Sequence, residues 1–252
     1  MDLNIAGKRA LVTGATAGLG KHIALSLARE GVDLALVGRR LGLLEQVANE
    51  AKGLGSSRVS LIALDMMQAE AINAAAAQAE AELGGIDILV NCMGASGPVE
   101  WDAPDEVWDA NLTLNWTRHR QLTNRLLPAM REQSWGRIVN VSGLGESERR
   151  VNTAIVAKAA VHAWSKSLAD VIAPDAVKIN CVAPGRINSE QIERFLPDPE
   201  IKAAYAKASI PMRRLGEPEK FADLVAFLCS QYASSITGTV IPVDGGFRQF
   251  LF

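Results

Sequence analysis

A glycine-rich turn between a short apolar run and an amphipathic segment constrains this chain more than any other feature. The run from Arg9 to Val12 is typical of a buried strand. Gly14, Gly18 and Gly20 follow it in the pattern T-G-x-x-x-G-x-G. A helix that begins inside such a turn presents unpaired N–H groups and its positive dipole end to an anion. The turn therefore predicts a phosphate-binding unit, although similar glycine clusters also occur in ordinary turns.

Each of the three glycines has a separate purpose in that interpretation. Gly14 would permit the tight turn, Gly18 the close approach of a phosphate, and Gly20 the close packing of helix on strand. The spacing differs from G-x-G-x-x-G, the commoner form of this turn. Further evidence for a nucleotide cofactor must come from the rest of the chain.

The composition argues against several classes of protein. With 252 residues, of which 48% are hydrophobic and 21% charged, the chain can bury the core of one large domain. A formal net charge of −2 gives no reason to expect nucleic acid or an acidic membrane surface as a partner. No apolar run approaches the roughly 18 residues of a membrane span, and the first residues lack the pattern of a secretory leader. We therefore expect a cytoplasmic protein.

The cysteines and histidines argue against a metal centre. Cys92, Cys181 and Cys229 are far apart and each lies in an apolar context, which is typical of reduced thiols in a core. The chain has no Cys-x-x-Cys motif, and its three histidines lack ligand spacing. We expect no metal site.

Strand-like apolar runs alternate with helical patterns along almost the whole chain. This alternation predicts an α/β fold, a doubly wound parallel sheet of seven strands with helices on both faces. Ligands of such sheets bind beyond the carboxyl ends of the strands. A long irregular stretch over 183–199, followed by a short helix at 199–207, is a candidate substrate lid. Strands are predicted near 8–13, 33–37, 59–64, 86–91, 137–141, 177–182 and 239–243, and the other helices near 18–30, 41–53, 68–83, 104–131, 151–172 and 218–230.

Residues at the ends of three strands suggest which nucleotide is bound. Arg39 and Arg40 follow the second strand, where an arginine accommodates the 2′-phosphate of NADP and a carboxylate would favour NAD. We therefore favour NADP(H) over NAD(H), the alternative being two solvated charges at a helix start. Asp65 is placed to accept from an adenine amino group, and Asn91 to tie strand ends beside the cleft. Either residue would also serve as a plain strand-end cap.

Further motifs, in order and at similar spacing, resemble the short-chain dehydrogenase/reductase family over residues 6–246. The C-terminal part is especially similar to the 3-oxoacyl-ACP-reductase-like members. The motifs are Thr13-Gly-x-x-x-Gly-x-Gly20, Asp65, Asn91-x-x-Gly94, Asn115, Gly136-Arg-Ile, Lys158, Asn180, Pro184-Gly185 and Val243-Asp-Gly-Gly246.

The resemblance implies one NAD(P)-binding Rossmann domain over residues 1–252, with a substrate lid inserted at about 186–215. It also implies a homodimer or homotetramer that meets through long helices, and a small-molecule substrate. Backbone at Ile187 is expected to meet the nicotinamide carboxamide. Expected cofactor contacts are Gly14, Thr16, Gly18, Leu19, Gly20, Arg39, Arg40, Asp65, Asn91, Gly94, Lys158, Pro184, Gly185, Ile187 and Ser189.

Family members transfer hydride between a nicotinamide and a carbonyl or alcohol carbon with an Asn–Ser–Tyr–Lys tetrad. The resemblance assigns the asparagine to Asn115 and the lysine to Lys158. The tyrosine position, four residues before the lysine, is Ala154. The serine position falls at Gly143, with Ser142 one residue early. Because one step along a strand reverses the side chain, Ser142 substitutes only where the strand end is bulged.

We therefore hypothesise an NADP(H)-dependent oxidoreductase with a non-standard proton donor, in which Asn115, Lys158 and Ser142 are catalytic. Two alternatives are a catalytically silent NADP-binding subunit or regulator, and a non-redox lyase or hydratase on the same fold. General acid catalysis contributes about 10²–10⁴-fold, so loss of the tyrosine would weaken a reductase without abolishing it. Candidate replacement acids are Lys158, Ser142, Thr153, Glu146, Ser147 and Glu148.

Overall fold

The predicted seven-stranded parallel sheet is confirmed. A computed structural model describes residues 2–143 and 151–248. The strand order is β3-β2-β1-β4-β5-β6-β7, and every neighbouring pair is parallel. The order reverses between β1 and β4, which places a crevice at their carboxyl ends. The strands are β1 (Arg9–Thr13), β2 (Asp33–Gly38), β3 (Val59–Ala63), β4 (Ile88–Asn91), β5 (Gly136–Val141), β6 (Val177–Pro184) and β7 (Val240–Val243).

Helices cover both faces of this sheet. The helices are α1 (Gly18–Arg29), α2 (Leu41–Leu54), α3 (Glu70–Leu83), α4 (Asp105–Leu112), α5 (Arg118–Glu132), α6 (Thr153–Ile172), α7 (Glu190–Phe195), α8 (Pro199–Ser209) and α9 (Pro218–Leu228). Side chains of β1 alternate between the two faces: Ala10 and Val12 pack with α1, α2 and α9, whereas Leu11 packs with α3, α5 and α6. No helix of the described residues is long and apolar enough to cross a membrane.

Two features of the helices differ from the sequence prediction. The predicted helix over 104–131 is interrupted by a π-helical turn, Thr113–Thr117, which joins α4 to α5. The stretch predicted as irregular contains α7, a helix of six residues. Ser189 precedes α7 in an extended conformation, and Glu190 and Glu193 lie in its first turn, where carboxylates stabilise the dipole. Six residues are too few for a helical periodicity to be read from sequence.

The segment over 186–215 leaves and rejoins the fold at one point. A single β-bridge pairs Ile187 with Gly216. The Gly216 N–H donates to the Arg186 carbonyl at 2.8 Å, and the Asn188 N–H donates to the Gly216 carbonyl at 2.8 Å. The segment, which carries α7 and α8, is therefore closed at its base. Its role as a lid stays a prediction.

At the edge opposite the carboxyl ends, an ion pair joins the two central strands. Arg9 begins β1, and its Nε donates to Oδ2 of Asp87 at 2.8 Å while Nη2 donates to Oδ1 at 2.8 Å. The backbone N–H of Arg9 donates to the same carboxylate at 3.0 Å. Burial would raise the pKa of Asp87, but the hydrogen bonds and the charge of Arg9 hold that pKa below its usual value. The carboxylate is therefore ionised and fully bonded in the folded state.

We predict that Asp87→Asn lowers the free energy of unfolding by about 3 kcal/mol, because it leaves a partly buried guanidinium without its charge partner. The folded-state pKa of Asp87 is depressed, so its contribution is full above the unfolded carboxyl pKa and is lost as pH falls through the folded value. Urea unfolding at pH 7 and pH 3 measures both effects. The matched control is Asp175→Asn, which breaks the exposed pair with Arg131 and should cost under about 1 kcal/mol. Equal losses in both variants would contradict this account.

Candidate active site

One cavity of about 890 Å³ opens at the carboxyl ends of the strands. It runs from the glycine turn after β1 to the segment after β6, along the crevice expected for this topology. Sequence-predicted residues from distant parts of the chain meet in its wall. Those that line it are Gly14, Thr16, Gly18, Leu19, Gly20, Arg39, Asp65, Gly94, Asn115, Ser142, Lys158, Pro184, Gly185, Ile187 and Ser189.

The glycine turn has the conformation that the sequence predicts. Gly14 and Gly18 have φ of +68° and +53°, in the left-handed region that favours glycine. A Cβ on Gly20 would lie 2.2 Å from the carbonyl oxygen of Gly14, so α1 begins in direct contact with the turn. No side chain caps α1, because Ala17 occupies the N-cap. The first N–H groups of α1 therefore face the cavity side of the turn without a protein cap, as a phosphate would require.

The two arginines after β2 are placed differently. Arg39 is exposed and lines the cavity. Arg40 does not line it, but its Nη2 donates to Oγ1 of Thr16 at 3.1 Å, which ties the start of α2 to the glycine turn. Asp65 is exposed in the cavity wall, where its Oδ1 accepts from the N–H of Met67 at 3.0 Å. This end of the cavity therefore offers arginine as well as the predicted carboxylate.

Asn91 lies behind the cavity wall. It is fully buried, and its Nδ2 donates to Oδ1 of Asn140 at 2.9 Å and to Oγ1 of Thr123 at 3.2 Å. Asn140 in turn donates to Oγ of Ser165 at 3.0 Å. The amide thus ties β4 to β5 and to the helices behind them, because a buried amide needs such partners. It fixes the strand ends from which the cavity wall is built.

Asn115 occupies the π-helical turn between α4 and α5. It is buried, and its Nδ2 donates to the carbonyls of Ala95 at 2.9 Å and Asn111 at 3.0 Å. Its Oδ1 accepts from the N–H of Ala95 at 3.3 Å, so one side chain holds both polar groups of that residue. A Cβ on Gly94 would lie 2.7 Å from this Oδ1 and 3.6 Å from Nζ of Lys158. Asn115 and Lys158 therefore meet where only a glycine fits between them.

Lys158 lies on the inner face of α6 with its ammonium group at the cavity. The side chain is buried, and Nζ donates to the carbonyl of Val141 at 2.9 Å. Burial lowers the pKa of Lys158 to about 8, against an opposing effect of the Cys92 and Cys181 thiols. A lysine in this state exchanges protons near neutral pH, which suits an acid–base role.

The hydroxyls expected beside Lys158 are missing or turned away. Ala154 lines the cavity with only a methyl group. A Cβ on Gly143 would lie 3.8 Å from Cγ of Lys158, so position 143 faces the lysine, but it carries no side chain. Ser142 lines the cavity, yet its hydroxyl donates to the carbonyl of Val182 at 3.4 Å. Thr153 is buried and does not line the cavity. Glu146, Ser147 and Glu148 lie outside the described residues.

Several residues in the cavity wall carry no motif and were missed from the sequence. Ser96 lies two residues after Gly94, and Asn152 caps α6, since its Oδ1 accepts from the N–H of Ala154 at 3.0 Å. Their nearness to two family motifs was the only available signal. Further cavity residues without a sequence signal lie in the segment over 186–215 or follow β7: Glu190, Ile192, Arg194, Phe195 and Phe247.

Known proteins resemble this chain over its whole length. The family described as Enoyl-(Acyl carrier protein) reductase matches residues 14–248. The 3-oxoacyl-[acyl-carrier-protein] reductase FabG of Aquifex aeolicus is 36% identical, over 98% of this chain and 99% of its own. The L-sorbose reductase of Gluconobacter frateurii, complexed with NADPH and L-sorbose, has a TM-score of 0.92 at 30% identity over 100% of both chains. A 7α-hydroxysteroid dehydrogenase complexed with NADH has a TM-score of 0.91 at 29% identity, over 100% of this chain and 98% of that one.

We predict that Lys158→Met stabilises the protein at pH 7 by about 1–3 kcal/mol, because a buried ammonium destabilises the folded state. The folded-state pKa of about 8 lies below the unfolded value of 10.5, so the cost is full below pH 8 and disappears above pH 10.5. Thermal melts at pH 7 and pH 10.5 compare the variant with the wild type. A lower melting temperature of the variant at pH 7 would show that the hydrogen bond to Val141 outweighs the burial cost.

Proposed function

Because this chain belongs to the short-chain dehydrogenase/reductase family, in its 3-oxoacyl-ACP-reductase-like branch, we propose that it is an NADP(H)-dependent oxidoreductase of small carbonyl or alcohol substrates. Relatives named as oxidoreductases support the class of reaction. The observation that carries the proposal is a single cavity that joins the glycine turn to Lys158 and Asn115. A cofactor cradle and an acid–base lysine are thereby within one site.

The residues of the cavity fit a dinucleotide. The uncapped start of α1 and the left-handed turn at Gly14 and Gly18 would hold the pyrophosphate. At the other end of the cavity, a Cβ on Gly185 would lie 2.5 Å from Asp244, so the backbone after β6 passes directly against the residue that follows β7. Ile187 and Ser189, a few residues further on, would hold the nicotinamide. Lys158 would hold the adjoining ribose in the same cleft.

The proposed preference for NADP(H) rests on charge. Arg39 would bind the 2′-phosphate directly. Arg40, which donates to Thr16, would add positive charge behind that site. Asp65 lies at the next strand end, as an adenine contact requires, rather than at the ribose position after β2. The two solved structures described above were complexed with NADPH and with NADH, so family membership alone favours neither.

In the proposed mechanism, this chain must supply a proton without the family tyrosine. When bound, the reduced cofactor supplies hydride to the carbonyl carbon of the substrate. The Lys158 ammonium gives a proton to the carbonyl oxygen, because a pKa of about 8 suits transfer at neutral pH. Asn115 binds both backbone polar groups of Ala95 and so positions the loop that lies between Asn115 and Lys158. Ser142 would contribute a hydrogen bond once its hydroxyl turns away from Val182.

A catalytically silent NADP-binding subunit is the second candidate function. It is favoured by the methyl group of Ala154 and by the direction of the Ser142 hydroxyl, which together leave the family's usual donors out of the cavity. In that case the cradle would bind cofactor without turnover. Binding and turnover must therefore be measured separately.

We also propose a homo-oligomer in the cytoplasm. Helix α4 has no buried residue, and Trp101 just before it is 81% exposed. On the neighbouring α6, Trp164 packs edge-on against Trp116 at a ring separation of 5.3 Å. The exposed Trp101 and the unburied face of α4 favour burial against a second copy, whereas Trp116 and Trp164 are half-buried. The apolar C-terminal stretch 247–252 suggests a second interface, and of this stretch only Phe247 and Arg248 belong to the described residues.

We predict that the protein binds NADPH at least tenfold more tightly than NADH, and that Arg39→Ala removes this difference, because the 2′-phosphate loses its charge partner. Fluorescence titration of each nucleotide gives both dissociation constants. Lys52→Ala is the matched control: it removes one positive charge from the last turn of α2, the helix that follows Arg39. A preference for NADH in the wild type would contradict the NADP assignment.

We predict that Lys158→Ala lowers kcat at least 100-fold and that Ala154→Tyr raises kcat about 10- to 100-fold, since it restores a phenol beside the lysine. The assay is NADPH oxidation with a 3-oxoacyl thioester, L-sorbose and a 7-oxo bile acid, the carbonyl compounds suggested by the relatives. Lys158→Arg, which keeps the charge but not an exchangeable proton near neutral pH, should resemble Lys158→Ala. Tight NADPH binding without turnover in wild type and Ala154→Tyr would instead support the silent subunit.

A further inference from the structure

The hydroxyl groups that line the cavity differ in their positions and in their hydrogen-bond partners. Among the described residues that line it, four side chains carry a hydroxyl: Thr16, Ser96, Ser142 and Ser189. Thr16 lies at the phosphate end, where it accepts from Arg40. Ser142 donates to Val182, and Ser189 lies beyond β6 at the start of α7. Ser96 lies two residues after Gly94, the position that faces Oδ1 of Asn115 and Nζ of Lys158.

Asn152 donates a hydrogen bond to the Ser96 hydroxyl and so leaves the hydroxyl hydrogen for another partner. The Oδ1 of Asn152 accepts from the N–H of Ala154, as a helix N-cap does, so its Nδ2 must be the atom that faces Ser96. That Nδ2 donates to Oγ of Ser96 at 3.2 Å. The Ser96 oxygen therefore acts as the acceptor in this bond. In the part of the chain that the structure describes, its own hydrogen has no acceptor and is available to a ligand.

The loop that carries Ser96 is held on both sides. Ala95 is bonded through its N–H and its carbonyl to Asn115, at 3.3 and 2.9 Å. Three residues after Ser96, the N–H of Val99 donates to the carbonyl of Val151 at 2.9 Å, next to Asn152. These bonds join the loop after β4 to the start of α6, the helix that carries Lys158. Ser96 itself is exposed in the cavity wall, so its hydroxyl is accessible to a ligand that enters the cavity.

We propose that the Ser96 hydroxyl donates a hydrogen bond to the carbonyl oxygen of the substrate, and that Asn152 is the positioning residue that directs it. The inference rests on the oxidoreductase function proposed above. As the carbonyl carbon is reduced, the π electron pair moves onto the oxygen, which takes a proton from the Lys158 ammonium. Ser96 keeps its own proton and stabilises the charge that develops on the oxygen. It thus takes the place of the hydroxyls that Ala154 and Gly143 lack.

Removal of the hydroxyl tests the catalytic contact. We expect Ser96→Ala to lower kcat/KM about 100-fold, the usual cost of one lost donor to a developing oxyanion. Ser96→Thr keeps the hydroxyl and should remain within about tenfold of the wild type. The dissociation constant for NADPH should be unchanged in both variants. The substrate is whichever of the 3-oxoacyl thioester, L-sorbose and 7-oxo bile acid the wild type reduces fastest.

Reversal of one hydrogen bond tests the positioning residue. In Asn152→Asp the new carboxylate still caps α6, but it accepts from Ser96 instead of donating to it and so withdraws the hydrogen from the substrate. We expect Asn152→Asp to match Ser96→Ala in kcat/KM at an unchanged melting temperature. The double variant should be no slower than either single one, because both changes remove the same bond. Binding of the same carbonyl compound to the NADP⁺-loaded protein, measured by calorimetry, should weaken in both variants without any turnover.

The outcomes separate this inference from the function on which it rests. If the wild type reduces a carbonyl compound and Ser96→Ala remains within threefold of it, Ser96 has no catalytic contact. If Asn152→Asp is slow only because its melting temperature falls, Asn152 is structural and the positioning role is overturned. If the wild type binds NADPH but reduces none of the three compounds, the oxidoreductase proposal fails and this inference fails with it.

Discussion

The contact between the start of α1 and the end of β1 is the constraint on which the rest of the site depends. With 2.2 Å between a Cβ at Gly20 and the carbonyl oxygen of Gly14, any other side chain would push helix and strand apart. At the end of the same strand, Oγ1 of Thr13 accepts from the N–H groups of Cys92 and Met93 at 3.0 and 3.2 Å. These two contacts fix the helix terminus and the loop after β4 relative to each other. The cavity lies between the glycine turn and the loop after β4, both of which line it.

The sequence was sufficient to predict the sheet, because alternating apolar runs carry the strand and helix periods directly. It also predicted part of the cavity wall through motifs at Gly14, Asp65, Gly94, Lys158 and Pro184. What it could not predict depends on contacts between distant residues. The π-helical turn at Asn115 depends on a bond to the Ala95 loop, twenty residues away. The direction of the Ser142 hydroxyl depends on β6, which is far along the chain.

The site contains a buried ammonium, that of Lys158, without the tyrosine that accompanies it in the family. Burial lowers the pKa of Lys158, and the groups that oppose this effect are the thiols of Cys92 and Cys181 rather than a carboxylate. The nearest described partner of Lys158 is a backbone carbonyl, that of Val141. In the family pattern a phenol would stand one helical turn away, at Ala154. The Lys158 ammonium therefore reaches the cavity with a backbone carbonyl as its partner and a methyl group where the family has a phenol.

The bridge between Ile187 and Gly216 bears on which parts of the chain can change in length without loss of the fold. Because both ends of the intervening segment meet at one point, its length and composition are decoupled from the spacing of β6 and α9. Insertions or deletions away from Met212, whose N–H donates to the Gly245 carbonyl after β7, need not disturb the sheet, whereas a change in the glycine turn would. Differences in length among proteins of this fold are therefore expected in this segment rather than in the glycine turn.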